Sequence, residues 1–313
     1  MGKLSFLLVS IIFGAAFGAI DRTMPLAGIS SAVGYCTSDF SHRSILTKAV
    51  DFSANTFVSP AVFTENDSIL FLEKQKYALA ETTTAAKTLA VARSFVGAPY
   101  VTGCLDRTSE ECLAVNLCEL DCWTFVENSL AIALAAPGDF YGYRTHLQEL
   151  RYWGGQVNGY GSRIHYFTGW LLQNEKRGIL VDLTETMGGI PYRKKIGYMS
   201  ARPARYPKVK DPENLRSIHA AERRINAHQW FYIPKNRVAK MEHLIQEGDI
   251  VSLTAWKPEL DIAHQGFAVK INGRIHLMHA SSLHKKVIIS KQPLPEYIAN
   301  QAGQTGIMVG RLR

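Results

Sequence analysis

The sequence predicts an α+β protein in which helices precede a C-terminal antiparallel sheet. Residues 82–96 carry small and apolar side chains at helical spacing before a Gly-Ala-Pro stop. A second, strongly apolar helix is predicted from Cys122 to Ala136, where Pro137-Gly138 stop it. Strand patterns fill the last third of the chain, at residues 249–254, 265–271, 274–280, 287–290 and 307–311. Helices followed by strands are the pattern of the α+β class.

The chain begins with the features of a secretory signal peptide. Lys3 precedes a short apolar run, and small residues stand near Gly18 and Ala19, where we expect cleavage. The run is short for a stable membrane span. We therefore expect residues 1–19 to be removed and the protein to be exported, to the periplasm or another extracytoplasmic space, with no membrane span left. An uncleaved N-terminal anchor is the alternative.

The rest of the chain divides by composition. Residues 20–60 are mixed and Ser-rich without periodicity, which indicates an N-terminal extension. Residues 61–313 are long enough for one large domain. Within it, the basic, Pro-containing stretch 190–229 has the composition of an insertion and includes a charged helix near residues 212–227. A further helix is expected at residues 166–175.

Charge excludes few functions. The formal net charge is +8, and basic residues are densest between residues 192 and 224. A solvated basic face explains this as well as an anionic ligand does. No nucleic-acid-binding motif accompanies the charge, so a nucleic-acid partner is not expected.

The number of cysteines limits the possible disulfides. The chain has five: Cys36, Cys104, Cys112, Cys118 and Cys122. In an exported protein disulfides are possible, and an odd number leaves at least one thiol free. The sequence does not determine which of the first four are paired. Their spacing lacks the paired CxxC pattern of zinc sites, so a metal site is only weakly supported.

Cys122 has the position of a reactive thiol. Asp121 is a suitable N-cap residue, which makes Cys122 the first residue of the predicted helix. The positive end of the helix dipole favours a thiolate there, and free N–H groups of the first turn can hold an oxyanion. The alternative is a buried cysteine that simply starts a core helix.

A predicted hairpin brings two histidines to one face. Asn272-Gly273 is a strong two-residue turn signal, which pairs Ile271 with Arg274 and places His264 opposite Ser281. His279 then lies one diagonal step from His264, roughly 7–8 Å away and on the same face. His276 faces the other side. A catalytic cysteine needs a base and an orienting partner, and these two histidines can supply both.

Other candidate site residues lie in loops. Tyr100 follows Gly97-Ala98-Pro99. Its ring either packs at a surface turn, or its hydroxyl donates a hydrogen bond into a cleft. Residues 151–170 interleave aromatic, Gly, Ser and Arg residues, which suits recognition of sugars, peptide backbone and carboxylates. The aromatic residues of the following helix could instead enter the core. The binding interpretation selects Tyr160, Ser162, Arg163, His165 and Tyr166.

Several motifs together resemble a known family. Asp121-Cys122, His264-Gln265-Gly266 and His279-Ala280-Ser281 resemble the NlpC-type, papain-like cysteine hydrolases of bacterial cell walls. Longer motifs are similar to the N-acetylmuramoyl-L-alanine amidase-like branch. They are Leu120-Asp121-Cys122-Trp123-Thr124-Phe125-Val126-Glu127, Ser162-Arg163-Ile164-His165-Tyr166-Phe167, Tyr232-Ile233-Pro234-Lys235 and Gly248-Asp249-Ile250-Val251. The resemblance covers about residues 67–313.

The resemblance implies a papain-like α+β fold with the nucleophile at a helix N-terminus. It implies a triad of Cys122, His264 and His279, with Tyr100 lining the active site. The implied reaction is cleavage of the lactyl–L-Ala amide of muropeptides through a thioester, with Arg163 and its neighbours recognising the stem peptide. It implies no metal or cofactor, and we expect a monomer.

The chain departs from the family pattern at three positions, and two rival functions remain. Cys112, Cys118 and Trp123 stand where other residue types are expected, which affects local redox state and pocket shape. One rival is a peptidase that cuts the γ-D-glutamyl–diamino acid bond. The other is an inactive cell-wall-binding module, against which the presence of Cys122 and both histidines argues.

Overall fold

The structure is a computed structural model that describes Ser59 and residues 61–313. The predicted signal peptide and Cys36 lie outside the described residues, as does the predicted extension 20–60 apart from Ser59.

The described residues form eight α-helices, five of which precede residue 180. They are α1 (Glu65–Ala78), α2 (Thr84–Ser94), α3 (Cys122–Leu134), α4 (Phe140–Arg151), α5 (Phe167–Lys176), α6 (Pro212–Asn226), α7 (Val238–Met241) and α8 (Leu294–Ala299). The four predicted helices correspond to α2, α3, α5 and α6, with ends within two residues of the prediction. None of the helices that the structure describes is long and apolar enough to span a membrane.

The strands form two sheets. They are β1 (Ala61–Val62), β2 (Leu113–Ala114), β3 (Leu180–Asp182), β4 (Ile190–Pro191), β5 (Phe231–Pro234), β6 (Ile250–Ala255), β7 (Ile262–Ile271), β8 (Arg274–Ser281), β9 (Lys286–Ile289) and β10 (Gln304–Leu312). β1 and β2 form a short parallel pair. The large sheet has the order β4-β5-β10-β6-β7-β8-β9, with β3 also paired to β10, and its pairs are antiparallel. The predicted α+β class with a C-terminal antiparallel sheet is confirmed.

Helix α3 is the central packing element. Its residues from Thr124 to Ala133 are all buried, because α2 and α4 cover it on the helical side and the sheet covers it on the other. The Phe125 ring meets the Phe267 ring of β7 at 5.5 Å and the Phe95 ring beyond α2 at 6.4 Å. Burying a phenylalanine contributes about 1.5–3 kcal/mol, so these contacts fix α3 against β7.

Helix α1 is absent from the sequence prediction because its buried face is partly polar. Asp67, Lys74 and Gln75 are buried there beside Leu70 and Phe71, so no continuous apolar stripe forms. Each of the three polar side chains hydrogen-bonds another part of the chain, including the segment before Cys122. Helix α1 therefore supports the region of the candidate site.

The stretch 190–229, expected to be an insertion, packs against the turn before α5. The Tyr166 hydroxyl donates to Glu222 of α6 at 2.8 Å and accepts from the Met199 N–H at 2.8 Å. All three residues are buried. These bonds attach the stretch to the wall of a cavity described below.

Candidate active site

Cys122 is the first residue of α3, as the capping pattern predicts. The Asp121 carboxylate accepts hydrogen bonds from the backbone N–H groups of Trp123 (3.1 Å) and Thr124 (2.8 Å). The Thr124 hydroxyl accepts from the Asp121 N–H at 2.9 Å, which completes a reciprocal cap. The half-buried Cys122 side chain therefore stands at a well-fixed first turn.

The lead-in segment, residues 101–121, has little regular structure and is held by buried polar side chains. The Asp67 carboxylate accepts from the Leu117 N–H at 2.9 Å, and Arg151 donates to the Ala114 carbonyl at 2.6 Å. Arg151 also forms a fully buried ion pair with Glu127 of α3 at 2.7 Å. Buried charges require such partners, so the pair ties the lead-in segment to the helix that carries Cys122.

The hairpin that carries the histidines forms as predicted. Asn272 and Gly273 both have positive φ, at 49° and 81°, the geometry of a two-residue type I′ turn. Ile271 pairs with Arg274, and the same register continues without a shift along the β7–β8 ladder. The predicted register is confirmed.

His264 and His279 meet on one face of this hairpin. Nε2 of His264 lies 2.6 Å from Nδ1 of His279. Gly266 permits the close strand approach, because a Cβ there would lie 2.3 Å from a carbonyl oxygen of β8. His276 faces the other side, where its Nδ1 lies 2.8 Å from the Ser290 carbonyl. Only His264 and His279 share the face, as predicted.

Gln265 joins the hairpin to the start of α3. Its side-chain amide donates to the Cys122 carbonyl at 3.3 Å. Since Gln265 directly follows His264, this bond holds the His264 strand against the first turn of α3.

The protonation state of Cys122 differs from the expectation for an isolated helix start. Burial and the adjacent Asp121 carboxylate raise the pKa of the Cys122 thiol to about 12. The N–H groups of Gln265, Cys122 and Trp123 act in the opposite direction and do not outweigh burial. The resting residue is a thiol, not the thiolate that the helix dipole alone predicts.

Both histidines are neutral in the resting site. Burial lowers the pKa of His264 to about 4. Burial, with smaller contributions from His264 and His284, lowers the pKa of His279 to about 3. With His279 on its Nε2, His264 keeps Nδ1 as its second ring nitrogen. Nε2 of His279 is buried and has no hydrogen-bond partner among the described residues.

Two tyrosines lie near Cys122. Tyr100 precedes α3 in the chain, and Tyr297 belongs to the C-terminal helix α8. Tyr100 pairs with Leu120 in a β-bridge, and burial together with nearby Cys122 raises the pKa of its hydroxyl. Tyr297 of α8 has its ring 5.4 Å from that of His279. Burial and the proximity of Cys122 raise the pKa of Tyr297 to about 12. Both hydroxyls keep their protons at neutral pH and can donate hydrogen bonds.

A cavity of about 210 Å³, here called the aromatic cavity, opens beside the α3 start. Asp121, Trp123 and Arg163 line it. Its other rings belong to Tyr160, His165, Tyr166, Tyr198 and Tyr206. The structure thus brings four of the five predicted recognition residues to one cavity, namely Tyr160, Arg163, His165 and Tyr166.

The guanidinium of Arg163, which the sequence selects for binding substrate carboxylates, makes several contacts within the protein. It forms a short ion pair with Asp106, donates to the Leu105 carbonyl at 3.0 Å and lies 3.6 Å from Glu111. The residue is 4% exposed, and its guanidinium also stacks over the Tyr160 ring. Through these contacts Arg163 braces the lead-in segment.

Ser162, also selected for recognition from the sequence, is not among the residues that line this cavity. Its hydroxyl donates to the Gly159 carbonyl at 2.7 Å and accepts from the Asn158 N–H at 2.9 Å, so it closes a surface turn. His165 does line the cavity, with Nε2 2.9 Å from the Tyr160 carbonyl. Burial, then the Arg163 charge, lowers the pKa of His165 to about 3, so its ring is neutral.

A larger cavity of about 710 Å³, here called the basic cavity, opens on the histidine side of the site. His264, His279 and Tyr297 line it. The exposed side chains of Lys286 and Lys291 line it as well. No loop in the sequence prediction suggested it, because its lining comes from five separate elements of the C-terminal third.

Cysteine and metal chemistry elsewhere is limited among the described residues. No disulfide joins two of the described cysteines, and burial raises the pKa of the Cys104 thiol to about 12. No group of three or more His, Cys, Asp or Glu side chains in the described ranges is arranged to hold a metal ion.

Comparison with known proteins agrees with this geometry. A sequence profile of the AmiA-like family, described as N-acetylmuramoyl-L-alanine amidase-like, matches residues 90–307. The chain belongs to this family. No match is found among the curated proteins.

Several solved structures are similar to this chain and share its fold. An N-acetylmuramoyl-L-alanine amidase from Bacteroides uniformis is 35% identical, with a TM-score of 0.68 over 72% of this chain and 98% of its own. A putative xylanase from Bacteroides fragilis is 35% identical, with a TM-score of 0.67 over 71% and 99%. A Legionella pneumophila protein at 20% identity, with a TM-score of 0.63 over 79% and 95%, shows the fold alone.

Three groups in this amidase-like site escape sequence reasoning. Tyr297 lies on the six-residue helix α8, which is too short to show a periodic pattern. Pro293 precedes this helix and Pro295 lies in its first turn. Gln265 stands inside a recognised motif, but its hydrogen bond to the Cys122 carbonyl becomes visible only in the structure. The Glu127–Arg151 pair joins residues 24 apart, and Trp123 donates its ring N–H to Glu127 at 2.7 Å.

Proposed function

We propose that the protein is a cysteine-dependent N-acetylmuramoyl-L-alanine amidase that cleaves the lactyl–L-Ala amide of peptidoglycan fragments. The observation that carries the proposal is the Cys122 thiol at a capped helix start, held against the strand whose His264 contacts His279 at 2.6 Å. Membership of the amidase-like family supports a peptidoglycan-related amide substrate.

The first step is attack by sulfur on the lactyl carbonyl carbon. Because the resting groups are a neutral thiol and a neutral imidazole, the proton moves to Nδ1 of His264 as the sulfur–carbon bond forms. His279 accepts from Nε2–H of His264 and stabilises the imidazolium. The oxyanion receives the Cys122 N–H at the helix start and the Tyr100 hydroxyl.

The second step expels the amine and the third hydrolyses the thioester. His264 returns its proton to the nitrogen of L-Ala as the carbon–nitrogen bond breaks, which leaves an acyl group on Cys122. A water molecule, deprotonated by His264, then attacks the thioester carbonyl. The thiolate leaves and recovers its proton from His264, which regenerates the resting site.

The proposal includes an NlpC-type, papain-like architecture and export from the cytoplasm. The nucleophile position at a helix start that packs on an antiparallel sheet supports the first. The apolar N-terminal pattern of residues 1–19 supports the second.

A glycosidase function is less consistent with the residues of the site. Glycoside hydrolysis uses two carboxyl groups that flank the scissile bond. Asp106 and Asp121 line the aromatic cavity, but Asp106 is paired with Arg163 and Asp121 caps α3. The thiol and imidazole pair favours acyl transfer instead.

The proposal is tested with purified protein and a defined muropeptide whose products are identified by mass spectrometry. We expect a free muramoyl acid and a peptide that begins with L-Ala. Cys122→Ala should reduce turnover to background while leaving the melting temperature unchanged. Cys112→Ala is the matched control, because this half-buried thiol lies outside the site, and it should stay active.

Three outcomes separate the alternatives. Near-normal hydrolysis by the Cys122→Ala protein would reject the cysteine mechanism. Products cut at the γ-D-glutamyl–diamino acid bond would identify the endopeptidase instead. Binding of the muropeptide without turnover by the wild-type protein would identify an inactive cell-wall-binding module.

A further inference from the structure

The two cavities share no lining residue. Asp121 and Trp123, the neighbours of Cys122 in the chain, line the aromatic cavity. His264 and His279 line the basic cavity. The aromatic cavity therefore adjoins the residues that flank the nucleophile, and the basic cavity adjoins the base.

Acyl transfer assigns a different half of the substrate to each side. The acyl group stays bonded to the Cys122 sulfur, whereas the amine receives its proton from His264 and leaves. The acyl half therefore belongs on the side of the Cys122 neighbours. The amine half belongs on the side of His264, in the basic cavity.

The charges of the basic cavity suit an anionic leaving group. Lys286 and Lys291 line it and are exposed, and His284 lies beside them. Its described lining contains no aspartate or glutamate. Neither lysine forms an ion pair with a described carboxylate.

These charges lie close to the catalytic histidines. Lys286 of β9 pairs with Ser281 of β8, two residues along the strand from His279. A peptide that leaves from beside His264 would pass this position next.

The aromatic cavity has the opposite character. Its one arginine, Arg163, is neutralised by Asp106, and five of its side chains are tyrosine or tryptophan rings. Flat apolar rings with hydroxyl groups suit a sugar ring better than a carboxylate. The smaller volume, about 210 Å³ against about 710 Å³, also suits a single ring rather than a peptide.

We propose that the basic cavity binds the stem peptide that departs as the amine, with Lys286 and Lys291 pairing with its carboxylates. The aromatic cavity binds the lactyl-sugar half that becomes the acyl group. This assignment rests on the proposed amidase function, and it moves carboxylate recognition from Arg163 to the opposite side of Cys122.

The experiment compares two muropeptides that differ only in whether the stem carboxylates are free or amidated. The wild-type protein should prefer the free acid. Lys286→Gln/Lys291→Gln should reduce that preference, as a ratio of kcat/KM values, by about tenfold, since exposed ion pairs contribute a few-fold each. The reduction should shrink at high salt, because exposed charges are screened.

A matched double variant controls for net charge. Lys257→Gln/Lys270→Gln removes two exposed lysines that do not line either cavity, and its preference should equal that of the wild type. An unchanged preference in the Lys286/Lys291 variant, or an equal reduction in the control, would overturn the assignment.

A binding measurement separates failure of this inference from failure of the proposed function. Calorimetry with the free L-Ala-initiated stem peptide and Cys122→Ala protein needs no turnover. Binding that weakens about tenfold in the added Lys286→Gln/Lys291→Gln background supports the site even if the scissile bond proves different. No binding, or binding that the two lysines do not affect, overturns it even if the amidase is active.

Discussion

The two halves of the proposed catalytic pair are positioned by different means. The histidine half is a regular hairpin, in which a two-residue turn and an unshifted ladder bring His264 to His279. The cysteine half is a capped helix preceded by the irregular segment 101–121. That segment is held by side chains from distant elements, among them Asp67, Arg151 and Arg163.

The difference indicates where each half is vulnerable. The hairpin geometry comes from backbone pairing, so substituting a histidine removes chemistry and leaves the fold. The lead-in segment has few backbone bonds of its own, so substituting one of its buried anchors removes a structural contact and affects every substrate alike. Variants in the two halves should therefore differ in kind.

The largest effect is expected at His264. His264→Ala removes the base and should lower kcat by about a hundred- to ten-thousandfold, the range of general acid–base catalysis. His276→Ala, on the opposite face of the same hairpin, should leave most of the rate, because His276 only bonds the Ser290 carbonyl. Steady-state rates of both variants on one muropeptide check this.

Melting curves accompany the rates, because both histidines lie in the sheet. If the two variants lost activity equally while remaining folded, the assignment of one catalytic face would be wrong, and with it the role of the register.

The next largest effect is expected at Arg163, an anchor of the cysteine half. Arg163→Ala leaves buried Glu111 without its cation and frees the Leu105 carbonyl. Breaking a buried pair on one side typically costs about 3–5 kcal/mol. The melting temperature should fall strongly, and kcat/KM should fall by the same factor on full-length and truncated stems.

The control for Arg163 is Arg93→Ala, which breaks an ion pair of 2.6 Å with Glu247 whose two side chains are about 40% exposed. Exposed pairs contribute about 0–1 kcal/mol, so its melting temperature should change little. Loss confined to full-length stems, with unchanged stability of the Arg163 variant, would return Arg163 to direct recognition.

The same comparison explains how far sequence reasoning reaches. The hairpin is predictable because its information is local: Asn272-Gly273 specifies the turn, and period two then assigns His264, His276 and His279 to their faces. The helix start at Cys122 is predictable for the same reason, since Asp121 and Thr124 cap it from adjacent positions.

The rest depends on contacts between residues far apart in the chain. Asp67 lies fifty residues before the N–H that it binds, and Arg163 lies fifty-eight residues after the carbonyl that it binds. A motif can mark Arg163 as notable without revealing that its donors are used internally. The pKa of Cys122 depends on burial in the folded protein, which outweighs the local helix dipole.

The smallest effect is expected at Asp121. This residue also allows its contribution to helix stability to be separated from the effect of its charge on the pKa of Cys122. Asp121→Ala removes the cap of α3 and should cost about 0.5–2 kcal/mol of stability. It also removes a carboxylate that raises the pKa of Cys122. The thiolate fraction at a fixed neutral pH should therefore rise, and iodoacetamide should alkylate Cys122 faster.

Two further variants divide these effects. Asp121→Asn keeps a capping oxygen but removes the charge, so stability should stay near that of the wild type while alkylation still accelerates. Asp139→Ala removes the cap of α4, where the Asp139 carboxylate accepts from the Gly142 N–H at 2.7 Å, and it should lower stability without changing alkylation. Alkylation rates from pH 6 to 9, with melting curves, check all three. If Asp121→Asn left the rate unchanged, the Asp121 charge would not act on the thiol, and the high pKa of Cys122 would have to come from burial alone.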